Sequence, residues 1–198
     1  MTGTWVGRSV RRLGVVLVVA VVCAGLSSAP ALAGSKTATI SFGTEESVAR
    51  ASNGDTVEIN GEGTFTLQPK SISADGGAAA AAFGEFPRTF THRDAQGTVL
   101  AEGTWEPTSV LSYRSFGPAT VEQNAFFGGL PAGSEGGKLM FKVALFVGGV
   151  HVHDGIITIV CELGVPPKNS VESTLLLVQG TSYNFNEPVS GDNIFIRS

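Results

Sequence analysis

The chain contains little cysteine, and this shortage determines how its fold is held together. Cys23 and Cys161 are the only two cysteines, and Cys23 lies in a segment that we expect to be removed. No intrachain disulfide can then form, so apolar burial and hydrogen bonds hold the fold. Cys161 ends an alternating apolar run with no basic neighbour, so we expect its thiol to be buried and unreactive.

Basic charge is also scarce, which argues against two kinds of partner. The chain has 13 Lys and Arg against 17 Asp and Glu. Three arginines lie in residues 1–33, so the other 165 residues carry 10 basic and 17 acidic groups, a net charge of −7. We therefore expect no binding to nucleic acid or to anionic lipid, because both need a basic surface.

Motifs for nucleotide binding and covalent catalysis are missing. There is no Gly-x-Ser-x-Gly turn for a nucleophilic serine. Residues 133–138 are glycine-rich and end in Lys138, but Leu139 follows where a phosphate-binding loop needs Ser or Thr. No dinucleotide-binding pattern occurs either. We expect no cofactor, and an enzyme is the less favoured interpretation.

Long apolar runs are absent except at the start of the chain. Three arginines precede residues 13–26, which are almost wholly apolar. Ala31 and Ala33 place small side chains at the positions that signal peptidase recognises. The run is shorter than the roughly 20 residues that a membrane anchor needs. We therefore expect a signal peptide over residues 1–33, cleavage near Ala33, a secreted or extracytoplasmic protein, and no membrane span after cleavage.

Residues 34–198 consist of short alternating runs and predict a single all-β domain. In residues 138–147, for example, Leu139, Phe141 and Val143 share one face of a strand. We expect one or two helical turns in residues 45–51. About ten short strands are predicted, at residues 37–42, 55–60, 63–68, 98–106, 110–116, 138–147, 155–163, 173–179, 182–185 and 193–197.

These strands predict an antiparallel β-barrel, with a two-sheet β-sandwich as the alternative. Most connections are too short for crossover helices, so the strands run antiparallel. A barrel and a sandwich both bury one face of each strand, and tight turns between successive strands favour the barrel. The pattern is similar to that of small exported barrels such as lipocalins and dirigent-like proteins. The similarity is one of architecture and carries no functional residue over.

Two long segments, residues 73–82 and 118–137, are rich in Gly and Ala and predict mobile surface loops. If the protein binds a ligand, loops at one end of a barrel are suitable borders for the site. The chain has twelve Phe but only two Trp and two Tyr, so we expect Phe and Trp105 to fill the core rather than to stack on sugars. Glu102 and Glu106 lie on the outward face of their strand, where carboxylates serve solubility.

His151 and His153 form the one pattern typical of a metal site. Alternate residues of a strand share a face, so two imidazoles could bind one metal. The pair resembles the His-x-His of cupins and copper–zinc superoxide dismutases, but the further ligands of those families are missing. Two imidazoles make half of a tetrahedral site, and Asp154 lies on the opposite face unless a bulge intervenes. We favour solvated histidines and keep a metal site as the alternative.

Three hypotheses about function remain open. The leading one is a secreted, non-enzymatic β-barrel that binds a small apolar ligand or a partner surface. The second is a metal-dependent enzyme that uses His151 and His153. The third is a structural or envelope-associated protein. A cavity lined by Phe inside the barrel would favour ligand binding over the structural role.

Overall fold

Strands account for most of the described chain, as the alternating sequence predicts. The computed structural model describes residues 37–198, so the expected signal peptide lies outside the described residues. Two short helices interrupt nine strands, and none of the described helices is long and apolar enough to span a membrane. The elements are β1 (Thr39–Ala51), β2 (Thr56–Leu67), β3 (Lys70–Ser73), α1 (Gly77–Phe83), β4 (Thr89–Arg93), β5 (Val99–Pro118), α2 (Val121–Phe126), β6 (Ser134–Val147), β7 (Val150–Cys161), β8 (Ser173–Val178) and β9 (Asn184–Arg197).

All nine strands belong to one antiparallel sheet that closes into a ring. The order is β1-β9-β8-β7-β6-β5-β4-β2-β3, and β1 also pairs with β2, which closes the ring and leaves β3 attached outside it. A second link joins β6 to β9 through the pairs Ser134–Ile196 and Glu135–Phe195. Each of the eight ring strands therefore has a hydrogen-bonded neighbour on both sides over at least part of its length. The prediction of an all-β, antiparallel fold is confirmed.

The strands are fewer and longer than predicted because several Gly and Pro residues do not end them. The runs at 55–60 and 63–68 are one strand, β2, and two other pairs of predicted runs merge into β5 and β9. Gly61 has φ near 150° and lies against the Trp105 indole, where a Cβ would overlap the ring. This glycine permits close packing within a strand and does not mark its end.

The prediction of helical turns in residues 45–51 is wrong, because β1 continues to Ala51. Its register against β2 shifts between Thr44 and Ser47, which marks a β-bulge. Within the bulge, Glu46 takes a positive φ of 46°. A bulge displaces the alternation of inward and outward side chains, so the sequence pattern there no longer has a period of two.

One cluster of buried apolar side chains packs inside the ring, with contributions from every strand except β3. Trp105 is 0% exposed and Cys161 is 1% exposed, so the predicted burial of both is confirmed. The indole Nε1 of Trp105 donates to the carbonyl oxygen of Asn60 at 2.9 Å. Large aromatic rings occupy the interior: Phe42, Phe65, Trp105, Phe141, Phe185 and Phe195.

A buried carboxylate fastens the end of β9 to β6. Glu135 is 5% exposed and accepts two hydrogen bonds from the Arg197 guanidinium, at 2.8 and 2.9 Å. The hydroxyl of Tyr113 donates to the same carboxylate at 2.6 Å. The pKa of the Tyr113 hydroxyl lies above its usual value, mainly because the side chain is buried and also because it contacts Glu135. The phenol therefore keeps its proton and remains a hydrogen-bond donor. The three residues form a charge-assisted network at the junction of β5, β6 and β9.

The two segments predicted as loops contain the two helices. Residues 77–83 include five alanines, which have the highest helix propensity, and they form α1. The second helix begins with a capping box: Thr120 accepts from the Gln123 N–H, and the Gln123 side chain accepts from the Thr120 N–H. The sequence signal for α2 was therefore present as Thr-x-x-Gln in a glycine-rich context.

Candidate functional site

A cavity of about 780 Å³ lies against the outer face of β1 and β9. Phe42 and Phe195 pair across these strands and point into the core. Their neighbours Gly43 and Ile194 therefore face outward, and both line the cavity. Among the described residues the interior of the ring is occupied by side chains, so this cavity lies outside the ring. The Phe-lined interior cavity that would have favoured ligand binding is not found there.

Four phenylalanines from the two helical segments line the cavity: Phe83, Phe86, Phe126 and Phe127. Phe126 and Phe127 are 83% and 57% exposed, and Phe83 is about half exposed. The interpretation of Phe as core filler is therefore wrong for these residues. Two adjacent phenylalanines in a glycine-rich segment were the sequence signal for this role. Of the two segments predicted to border a binding site, residues 118–137 contribute to the lining of this cavity, whereas residues 73–82 do not, since Phe83 and Phe86 follow them.

Gln123 holds α2 in place beside the cavity. Its side-chain oxygen accepts from the Gly164 N–H at 2.9 Å, and its amide nitrogen donates to the Glu162 carbonyl at 3.4 Å. No residue of α2 is buried. Polar contacts rather than apolar packing position this helix, which leaves Phe126 and Phe127 exposed at the cavity.

Glu172 provides a polar group at the cavity. One carboxylate oxygen accepts from the Glu162 N–H at 2.7 Å, and the other accepts from the Asn193 N–H at 3.0 Å. The Asn193 side-chain oxygen accepts from Thr174 at 2.8 Å. Burial raises the pKa of Glu172 to about 7, although both N–H donors act to lower it. The cavity therefore contains a carboxyl group that titrates near neutral pH.

The raised pKa of Glu172 predicts that stability falls as pH rises. The folded protein binds this proton up to about pH 7, whereas the unfolded chain releases it near 4.5, so the free energy of unfolding decreases across that interval. We expect the loss to be about 1–3 kcal/mol. Urea unfolding at a series of pH values gives the free energy of unfolding as a function of pH. Between about pH 4.5 and 7, this free energy should fall less steeply with pH in Glu172→Gln than in the wild type. Glu102→Gln, an exposed control, should keep the wild-type slope, and an unchanged slope in Glu172→Gln would contradict the assignment.

Cys161 borders the cavity but offers no nucleophile to it. Its side chain is almost wholly buried, and burial raises the pKa of the thiol to about 12. The thiolate is the reactive form, and it is scarce at neutral pH when the pKa is so high. This agrees with the expectation of an unreactive cysteine.

His151 and His153 lie on β7, exposed and away from the cavity. The register between β6 and β7 shifts at this point, and the Nε2 of His151 is 3.1 Å from a carboxylate oxygen of Asp154. Asp154 thus reaches His151, contrary to the expectation for a regular strand. Within residues 37–198, no group of three or more His, Cys, Asp or Glu side chains could hold a metal. His92 lies elsewhere, with its Nε2 3.2 Å from Asp55. The metal-site alternative thus depends on two imidazoles alone.

A second, polar cavity of about 420 Å³ lies beside β4 and β5. Glu62 and Arg88 line it, and within the described chain the Oε2 of Glu62 and the Nε of Arg88 lack hydrogen-bond partners. Burial raises the pKa of Glu62. Both unpartnered atoms are buried, and Gly76 packs directly on the Glu62 carboxylate. Glu106 also lines this cavity; it is exposed, as predicted, and pairs with Arg88 at 3.4 Å.

Comparison with known proteins provides no family from which a function could be transferred. No protein-family model matches the chain, and no curated protein and no solved structure matches it either. The assignment of a site therefore depends on the geometry of the two cavities described above, of which the outer, aromatic cavity is the larger.

Proposed function

We propose that this protein is an exported, non-enzymatic β-barrel that binds a small apolar ligand in the outer cavity. The carrying observation is that three largely exposed phenylalanines, Phe83, Phe126 and Phe127, converge on one cavity of about 780 Å³. That volume lies within the range of about 300–1,000 Å³ that is typical of small-molecule sites. A ligand that covers these rings removes apolar surface from water, which provides the driving force for binding.

The architecture supports a barrel rather than a sandwich. Each of the eight ring strands has a hydrogen-bonded neighbour on both sides, and one apolar cluster serves all of them. In this proposal the ligand lies outside the filled interior, against the rings carried by α1, α2 and the residues that follow them. Export is the part of the proposal that depends on the sequence alone. Its grounds are the basic start, the apolar run and the Ala-x-Ala pattern before Gly34.

Replacing both Phe126 and Phe127 by Ala should weaken binding of a neutral apolar probe. N-phenyl-1-naphthylamine, which fluoresces when it leaves water, suits a titration of the purified protein. We expect the dissociation constant to rise about tenfold to a hundredfold, because two ring contacts are lost. Both rings are exposed, so the fold should remain intact.

Val121→Ala is the matched control, since Val121 is 81% exposed on the same helix and does not line the cavity. This variant should bind the probe as the wild type does. Failure of the wild-type protein to bind the probe would refute the proposal. Equal binding by all variants would place the probe elsewhere and would also refute it.

A further inference from the structure

Every charged side chain that lines the outer cavity is acidic. The four carboxylates are Glu45, Glu162, Glu172 and Asp192, and no Lys, Arg or His of the described chain lines this cavity. Since no basic side chain of the described chain offsets these acidic groups in the lining, the cavity favours positive charge. A fatty acid or another anionic ligand would be repelled here.

Two of these carboxylates are held opposite each other in the sheet. Glu45 of β1 and Asp192 of β9 are register partners, and both are exposed. Like charges directly opposite on neighbouring strands destabilise a sheet. Among residues 37–198, neither carboxylate forms an ion pair with a basic side chain. A cation bound in the cavity beside these two carboxylates would relieve this repulsion.

The aromatic rings provide the second element of cation recognition. Phe83, Phe86, Phe126 and Phe127 line the same cavity as the carboxylates. The face of an aromatic ring attracts a cation within about 6 Å of its centre, and cages of such rings bind quaternary ammonium groups. The rings also give the hydrocarbon part of a ligand an apolar surface to cover.

We propose that the ligand of the outer cavity is an apolar organic cation, an amine or quaternary ammonium compound with a hydrocarbon body. This inference rests on the proposed function and specifies its ligand class. The cationic group lies toward Glu45 and Asp192, and the hydrocarbon body packs on the phenylalanines. A neutral apolar molecule that fills the cavity offers the carboxylates no charged partner, whereas an organic cation does.

The test compares three probes that share one tail: decyltrimethylammonium, decanol and decanoate, each below the concentration at which it aggregates. Isothermal titration should give one site per chain, with the cation bound about tenfold more tightly than the alcohol and decanoate bound most weakly. In Glu45→Gln/Asp192→Asn, affinity for the cation should fall about fivefold or more, while affinity for decanol should stay within about twofold. Thermal unfolding should show that this variant folds, since it removes a repulsive pair.

The matched control is Glu102→Gln/Asp154→Asn, which removes the same number of charges from exposed positions outside the cavity lining. It should bind all three probes as the wild type does. An equal loss of cation binding in this control would show that the overall charge of the protein causes the effect, and it would overturn the inference. Equal affinity for decyltrimethylammonium and decanol would also overturn it, but would leave the proposed function standing. Failure of all three probes to bind would refute the proposed function itself.

Discussion

Replacing Glu135 by Ala is expected to lower the free energy of unfolding by about 2–4 kcal/mol. Glu135 is buried and is the shared acceptor for Arg197 and Tyr113. Its loss leaves a guanidinium and a phenol without their acceptor at the junction of β6 and β9. Only the carboxylate of this ion pair is buried, since the Arg197 side chain is 39% exposed, so water can solvate part of the guanidinium that is left. The cost therefore comes mainly from the three hydrogen bonds that lose their acceptor. Urea unfolding followed by circular dichroism measures the change.

Two further variants separate the contributions within this network. Tyr113→Phe removes one hydrogen bond and keeps the ring packed against Phe65 and Phe195, so we expect a loss of about 1–2 kcal/mol. Glu102→Ala, at an exposed position, should change stability by about 0.5 kcal/mol or less. A loss below about 1 kcal/mol for Glu135→Ala would show that the network does not hold the end of β9.

Replacing Trp105 by Ala should have an effect of similar size for a different reason. The indole is fully buried, packs near Phe141 with ring centres 5.9 Å apart, and lies against Gly61. Truncation leaves a large cavity in a core that cannot collapse fully, and the Asn60 carbonyl loses its indole donor. We expect a loss of about 3–5 kcal/mol, measured by urea unfolding with circular dichroism as the probe.

Phe127→Ala is the appropriate comparison for this variant. Both substitutions remove an aromatic ring, but Phe127 is largely exposed and Trp105 is not. We expect Phe127→Ala to change stability by about 0.5 kcal/mol or less. Similar losses for the two variants would contradict the division of the aromatic residues into core rings and cavity rings.

Strand positions were predictable wherever the alternation of side chains is regular. Residues 138–147 alternate without interruption, and β6 covers them. The antiparallel arrangement followed from the short connections, and the burial of Trp105 and Cys161 followed from their positions in alternating runs. These features depend on a few neighbouring residues, because the side chains of a strand alternate whatever the rest of the chain does.

Strands without that pattern were not predictable. β4 has a single fully buried apolar side chain, Phe90, and it exists because β2 and β5 pair with it on both sides. The bulge in β1 similarly disturbed the period in residues 45–51. In both places the strand is formed by hydrogen bonds to partners that are distant in sequence, which no local pattern records.

The sequence by itself determined that this protein is all-β and antiparallel, with a Phe-rich core and an acidic balance, because composition and alternation are local properties. Only the tertiary structure decided which phenylalanines are core and which face solvent. The long-range pairing of β1 with β9 places Glu45 opposite Asp192. The same pairing forms the outer face on which α1 and α2 bring their rings together. A ligand site formed by separate segments depends on these long-range pairings, so it emerges only when the chain is folded.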